Sequence, residues 1–201
     1  MIKINPCKIK DGQYEGYALD LHTTSSVFLG YDSYGHEQFD TKRSEMGELL
    51  YRLKYKSDKS VLDDIVNTAA EFLKNRWQIA DNVDAIIPVP PSKSGRSIQP
   101  VIKVAKGISS KLKITVFQNV LTKVEETPEL KDIYDYNQRL KLLKNSFDVA
   151  DVSKTSGKNI LLLDDLYRSG ATVDAIVRTL FIVGKVIKVY VLALTRTRSK
   201  L

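Results

Sequence analysis

The chain has 201 residues, 43% of them apolar and 27% charged, which is the composition of one ordinary globular domain, large enough to bury a full core without covalent staples. Its single cysteine, Cys7, excludes an internal disulfide framework and a multi-cysteine zinc site, and suits a reducing cytoplasm. No apolar run approaches the roughly 18 residues of a membrane span, the N-terminus lacks the apolar core of a signal peptide, and the formal charge of +7 favours anionic partners, nucleotide phosphate and nucleic acid alike.

Residues 1–43 are rich in Tyr, Gly, Thr and Ser. The alternation Tyr17-Ala18-Leu19-Asp20-Leu21-His22, a second apolar stretch at Val27-Phe28-Leu29 and turn signals at residues 23–26 and 32–35 predict a small antiparallel β element. His22 and His36 raise a metal reading, but neither has a partner at ligand spacing, so both read as ordinary polar residues. From Ser44 the period changes: Met46, Leu49, Leu50 and Leu53 share a helical face behind a Ser N-cap, and a second helix from Ser60 carries Val61, Ile65, Ala69, Phe72 and Leu73. A basic aromatic link, Leu53-Lys54-Tyr55-Lys56, lies between them.

Residues 84–91 read as a buried strand that stops at Pro88 and Pro90-Pro91, because proline cannot donate to a sheet ladder. The run Ser92-Lys93-Ser94-Gly95-Arg96-Ser97 then offers cations, hydroxyls and free amides, as an anion site or as a solvated turn. A helix follows with Pro100 in its first turn, and residues 114–117 predict a short strand. Residues 123–144 carry many charges and no sustained apolar period, which reads as a lid or as a tolerated insertion, with Phe147-Asp148-Val149 resuming the sheet.

The most informative stretch is 159–172. Ile160-Leu161-Leu162-Leu163 suits a strand buried on both faces of a parallel sheet. At its exit, Asp164 and Asp165 are acceptor-only groups suited to sugar hydroxyls or a hydrated cation. Ser169-Gly170-Ala171-Thr172 then lets backbone N–H groups approach an anion at the start of the next helix. That helix ends at Gly184, and Val186 opens a last buried strand. The order strand, helix, strand, lid, strand, helix, strand from residue 84 predicts an α/β fold, with a parallel sheet flanked by helices over residues 44–201.

These residues resemble the signature of type I phosphoribosyltransferases: an apolar run, two acids, a short spacer and a Ser/Thr-Gly-x-Thr loop. Over residues 50–198 the chain is similar to the ComF-type subfamily associated with DNA uptake, through Leu53-Lys54-Tyr55-Lys56, Ile87-Pro88-Val89-Pro90, residues 121–128 and Phe147. The subfamily's four-cysteine zinc ribbon is missing, and the Tyr-rich β element stands in its place. The resemblance implies a Rossmann-like core that binds phosphoribosyl pyrophosphate with magnesium and transfers the sugar to a nitrogen acceptor. Asp164 and Asp165 would bind the ribose hydroxyls, and Arg168, Ser169, Gly170, Ala171 and Thr172 the 5-phosphate. Val89, Pro90, Pro91, Ser92, Lys93 and Arg96 would take the pyrophosphate, and Lys131 would reach it from the lid. Magnesium would be held by substrate oxygens and water, with Asp164 reached through water and no direct protein ligand.

A second reading is a non-catalytic sensor of phosphoribosyl pyrophosphate or nucleotide that binds single-stranded DNA. Lys123, Lys131, Arg139, Lys141 and Lys144 would attract the backbone, and Tyr134 and Tyr136 would stack on bases. A receiver or phosphatase domain also places acids at strand ends. The phosphatase wants its acids spaced by one residue, and the receiver does not require the anion loop. Homodimerisation and the identity of the acceptor stay open at this level.

Overall fold

The computed structural model describes residues 1–9, 12–91, 99–124, 135–143 and 145–198, with Arg139 and Leu140 described in their backbone alone. Two short strands, β1 (Cys7–Lys8) and β2 (Glu15–Ala18), precede a long hairpin of β3 (Thr23–Tyr31) and β4 (Glu37–Arg43). In the hairpin turn Asp32 accepts from the N–H groups of Tyr34 and His36, while Gly35 takes φ 79°, a conformation that opposes a Cβ. Antiparallel pairing in the N-terminal region is confined to this hairpin and to β1 with β2, and β2 itself lies parallel to the last strand of the main sheet. The reason is burial: Ala18 and Leu19 are wholly enclosed against that sheet.

Helix α1 (Glu45–Tyr55) starts as its sequence dictates. Ser44 accepts from the Gly47 N–H at 3.0 Å, Glu45 and Glu48 complement the dipole of the first turn, and Met46, Leu50 and Leu53 are buried. A 3-10 turn capped by Asp58 leads into α2 (Leu62–Glu71), which relaxes into a π turn over Phe72–Arg76. Strand β5 (Ala85–Pro88) is buried throughout and ends on the proline; α3 (Pro100–Leu112) has Pro100 in its first turn, and β6 (Thr115–Val116) follows.

The next part of the chain departs from its sequence reading. β7 (Leu121–Lys123) and β8 (Phe147–Val149) pair with each other as a separate two-stranded sheet, so Phe147 does not resume the main sheet. Between them, inside the span expected to lack regular structure, lies α4 (Tyr136–Leu142). Asp135 caps it by accepting from the Gln138 N–H at 2.7 Å. Tyr136 and Leu143 pack on the core; spaced seven apart among charges, they leave only a faint helical period. Strand β9 (Asn159–Tyr167), α5 (Ala171–Ile182) and β10 (Lys188–Arg196) complete the fold.

The main sheet has the order β1-β2-β10-β9-β5-β6, parallel except at β1, and helices cover both faces, as the α/β reading expects. Alternation along β9 assigns the faces. Ile160 and Leu162 pack with Val177 and Leu180 of α5, while Leu161 and Leu163 pack with Leu50, Ile65 and Ile108 of α1, α2 and α3. Each such fully buried aliphatic side chain stabilises the fold by about 1.5–3 kcal/mol. From β5 the chain crosses through α3 to β6 on one side, and from β9 it crosses through α5 to β10 on the other. Neighbouring strands β5 and β9 therefore discharge in opposite directions, and their carboxyl ends are where the crevice of an open α/β sheet lies. Among the described residues no helix is long and apolar enough to cross a membrane.

Candidate active site

The crevice is bounded by the exits of β5 and β9. Pro88 lies opposite Leu163, and the Val89 N–H donates to the Leu163 carbonyl at 2.8 Å, which sets Val89 beside Asp164. Val89 is buried and Pro90 half-buried, while Pro91 is exposed where the chain leaves the sheet. Ser92, Lys93 and Arg96 lie outside the described residues, as do Lys131, Tyr134 and Lys144.

β9 does not end at the acids. It continues to Tyr167 because Leu166 and Tyr167 keep their ladder with Thr195 and Arg196 of β10, so Asp164 and Asp165 sit within the strand, with Asp164 opposite Ala193. Adjacent strand residues leave the backbone on opposite faces, so the two side chains diverge from the end of β9, which the crevice adjoins. Asp165 shares the face of Leu161 and Leu163 and meets Lys54 of α1, whose Nζ donates to Oδ2 at 2.5 Å. Asp164, 8% exposed, turns to the other face, where its Oδ1 accepts from the Asp165 N–H at 2.8 Å. Loss of solvation, and then the neighbouring Asp165 charge, push its carboxyl up to about 7.

Beyond β9 the chain turns through Arg168, exposed, and Ser169, half-buried. Gly170 has φ 86°, and a Cβ there would overlap the Tyr167 hydroxyl and lie 2.9 Å from its Cζ, so any side chain at this turn is strained. Gly170 is also the N-cap of α5, and no side chain caps that end in the usual way. Ser169 Oγ stands 3.5 Å from the Ala171 N–H, and Thr172 follows in the first turn. Backbone N–H groups behind a glycine cap and the positive end of the helix dipole make this a place for an anion. The floor is aromatic: Tyr14 and Tyr167 bring their hydroxyls within 3.4 Å in the buried layer, and burial followed by Tyr167 pushes the Tyr14 phenol far up. Tyr136 donates to Asp174 Oδ2 at 2.6 Å, which ties α4 to the first turn of α5.

Among the similar solved structures are adenine phosphoribosyltransferases. One from Leishmania tarentolae has a TM-score of 0.47 at 9% identity, over 94% of this chain and 94% of that one. One from Saccharomyces cerevisiae, complexed with an imino-altritol bisphosphate and adenine, has a TM-score of 0.47 at 10% identity over 84% and 83%. One from Leishmania donovani has 0.46 at 11% identity over 93% and 86%. These likenesses assign no residue of this chain a role. No protein-family model matches the chain, and no curated protein matches it.

Two residues near the acids were not legible as site residues. Lys54 stands in the basic aromatic link, and nothing local in that link points to a carboxylate 111 positions further on. His22 follows β2 and places its Nδ1 3.1 Å from Thr195 Oγ1, while the Thr195 hydroxyl donates to the Asp165 carbonyl at 2.9 Å. His36 instead joins Asp32 in the hairpin turn, at 3.3 Å. A cavity of about 690 Å³ lies elsewhere, between α4, α5 and β8, and contains none of the acids or loop residues. Its lining mixes Leu143 and Phe147 with Lys141 and Arg178, without convergent acids or an open helix N-terminus.

Proposed function

We propose that the chain is a phosphoribosyltransferase that takes phosphoribosyl pyrophosphate with magnesium and passes the sugar to a nitrogen acceptor, releasing pyrophosphate. The observation that carries this reading is the pairing of a buried carboxylate, Asp164, with the glycine-capped start of α5 only a few residues further along one chain, beside the exit of β5. Acceptors for sugar hydroxyls and donors for a phosphate one loop apart match a sugar phosphate in both polarity and reach. The 5-phosphate would sit on the backbone N–H groups and hydroxyls of Ser169 to Thr172, with Arg168 beside it. The ribose hydroxyls would donate to Asp164 and Asp165. Residues Val89, Pro90, Pro91, Ser92, Lys93 and Arg96 would hold the pyrophosphate, with Lys131 as a further cation for it.

Asp164 fits the metal as well. A carboxylate that burial drives toward its neutral form regains its charge when a hydrated divalent cation lies near. Bound magnesium supplies neutralisation of charge on the leaving pyrophosphate. The carboxylates of this chain then face the positive charge that grows on the sugar as the C1–O bond breaks, an interaction stronger in the transition state than in the ground state. A role in DNA uptake or DNA metabolism belongs to the alternative reading, a non-catalytic sensor that binds single-stranded DNA. As a single-stranded DNA sensor the chain would lose one of its stacking rings, because Tyr136 is half-buried and its hydroxyl is engaged.

Release of pyrophosphate from phosphoribosyl pyrophosphate and magnesium, followed over a panel of purines, pyrimidines, pyridines and amines, tests this. Turnover with at least one acceptor, lost in a folded Asp165→Asn variant, is the expected result; no release with any acceptor would contradict it.

A further inference from the structure

His22 stands where three elements converge. Its N–H donates to the Arg196 carbonyl at the end of β10, at 2.8 Å, continuing the parallel bridge between Leu21 and Arg196. Its carbonyl presses on the first turn of α1 at Gly47, where any Cβ would clash with it. Next to it, Ser44 donates its hydroxyl to the Leu21 carbonyl at 2.5 Å. A backbone pinned on two sides sets one imidazole beside the Asp165 end of the crevice.

The ring is held as well, and its tautomer follows from hydrogen-bond logic. Thr195 is fully buried and has one hydroxyl proton, which it donates to the Asp165 carbonyl, an atom that only accepts. Toward His22, therefore, Thr195 accepts. Nδ1 carries the hydrogen, and Nε2 of the neutral ring keeps its lone pair. Among the described residues Nε2 has no hydrogen-bond partner. The charged groups that face this imidazole are Arg43 at the end of β4, Lys54 of α1, Arg168 of the loop after β9, and Asp165 of β9. Burial, and then Arg43, hold it below the usual histidine range; Lys54 and Arg168 act the same way, and Asp165 opposes them. These influences favour the neutral ring.

We infer that His22, through Nε2, takes the proton of the incoming nitrogen nucleophile, so that the acceptor is a compound whose reacting nitrogen bears a hydrogen. The inference rests on the phosphoribosyl-transfer reading. In the step, the bond from C1 to the pyrophosphate oxygen breaks and its electron pair leaves with the oxygen. The nitrogen lone pair forms the bond to C1, and the N–H proton passes to Nε2. The imidazolium so formed keeps its Nδ1–H on Thr195, is attracted by Asp165, and returns the proton to solvent. Heterocyclic N–H acceptors and amines fit this chemistry. A pyridine nitrogen, with no proton to lose, has no use for His22.

The test combines spectroscopy with kinetics on the full chain. The sequence has two histidines, so nitrogen-15 imidazole spectra of wild type and of His36→Gln identify each ring. The expected spectrum shows His22 neutral at pH 7 with hydrogen on Nδ1; hydrogen on Nε2 would overturn the inference. His22→Asn keeps an amide donor near the Nδ1 position for Thr195 and removes the Nε2 acceptor. With whichever acceptor the wild type uses, it should lower kcat about 100-fold and abolish the acidic limb of the pH profile. Affinity for phosphoribosyl pyrophosphate with magnesium, by calorimetry, should stay within about 3-fold. An unchanged kcat and pH profile would overturn the role of His22 and leave the transferase standing. Turnover only with pyridine acceptors, or binding without turnover, would also overturn it. No binding by wild type would remove the transferase reading together with this one.

Discussion

Burial lifts the Asp164 carboxyl from its usual 3.8 to about 7, with the charge of Asp165 adding to the effect. A folded-state value above the unfolded one means that the fold prefers the protonated acid. The associated stability is complete below about 3.8 and is lost as pH rises through about 7. Above neutrality an uncompensated buried carboxylate therefore costs a few kcal/mol. Asp164→Asn, which keeps the Oδ1 acceptor for the Asp165 N–H, should raise the thermal midpoint at pH 8 by about 3–8 °C and clearly less at pH 5. Equal shifts at the two pH values would contradict the assignment. Gly170 makes the opposite case, where the chemistry of the loop depends on a missing side chain. Gly170→Ala must bear a positive φ and a collision with Tyr167, so urea unfolding should show a loss of about 1–3 kcal/mol. At this scale much of the candidate site is legible in the sequence, since acids and small residues after an apolar run announce themselves by local chemistry. Lys54 and His22 could not, because their partners Asp165 and Thr195 lie more than a hundred positions away.

Helix α1 carries more of the site than its sequence suggests. Its cap, Ser44, both accepts from Gly47 and donates to Leu21, its first turn packs on the His22 carbonyl, and its last turn delivers Lys54 to Asp165. Ser44→Ala should destabilise the protein by about 1–2 kcal/mol in chemical denaturation and leave far-ultraviolet dichroism in place. A loss near zero would mean that the cap does not hold this junction. The helices α1, α2 and α3 and the strand β5 follow from their own periodicity and prolines, which act over a few residues. β9 was legible as a buried strand but not in its length: its continuation through the acids depends on the ladder with β10, a contact between distant segments. The same holds for β2, which reads locally as part of an antiparallel element yet joins β10 in parallel. β7 and β8 pair with each other across the segment between them, a choice that no local pattern records.

Across the whole molecule, the sheet separates two apolar cores and brings the exits of β5 and β9 together, so that groups from α1, β9, the α5 terminus and the end of β10 lie near those exits. Among the described residues the hairpin of β3 and β4 forms a sheet of its own and exposes Phe28, Leu29 and Tyr31. A formal charge of +7 draws polyanions toward the surface generally, so attraction alone does not identify a substrate. Specific occupancy does. Isothermal titration of the full chain with phosphoribosyl pyrophosphate in the presence of magnesium measures it directly. The expected result is saturable binding of one molecule per chain, retained at moderate salt and lost in Gly170→Ala that is still folded. Absence of binding by the wild type, or heat that vanishes with salt alike for wild type and variant, would contradict the site proposed at Asp164, Asp165 and the start of α5.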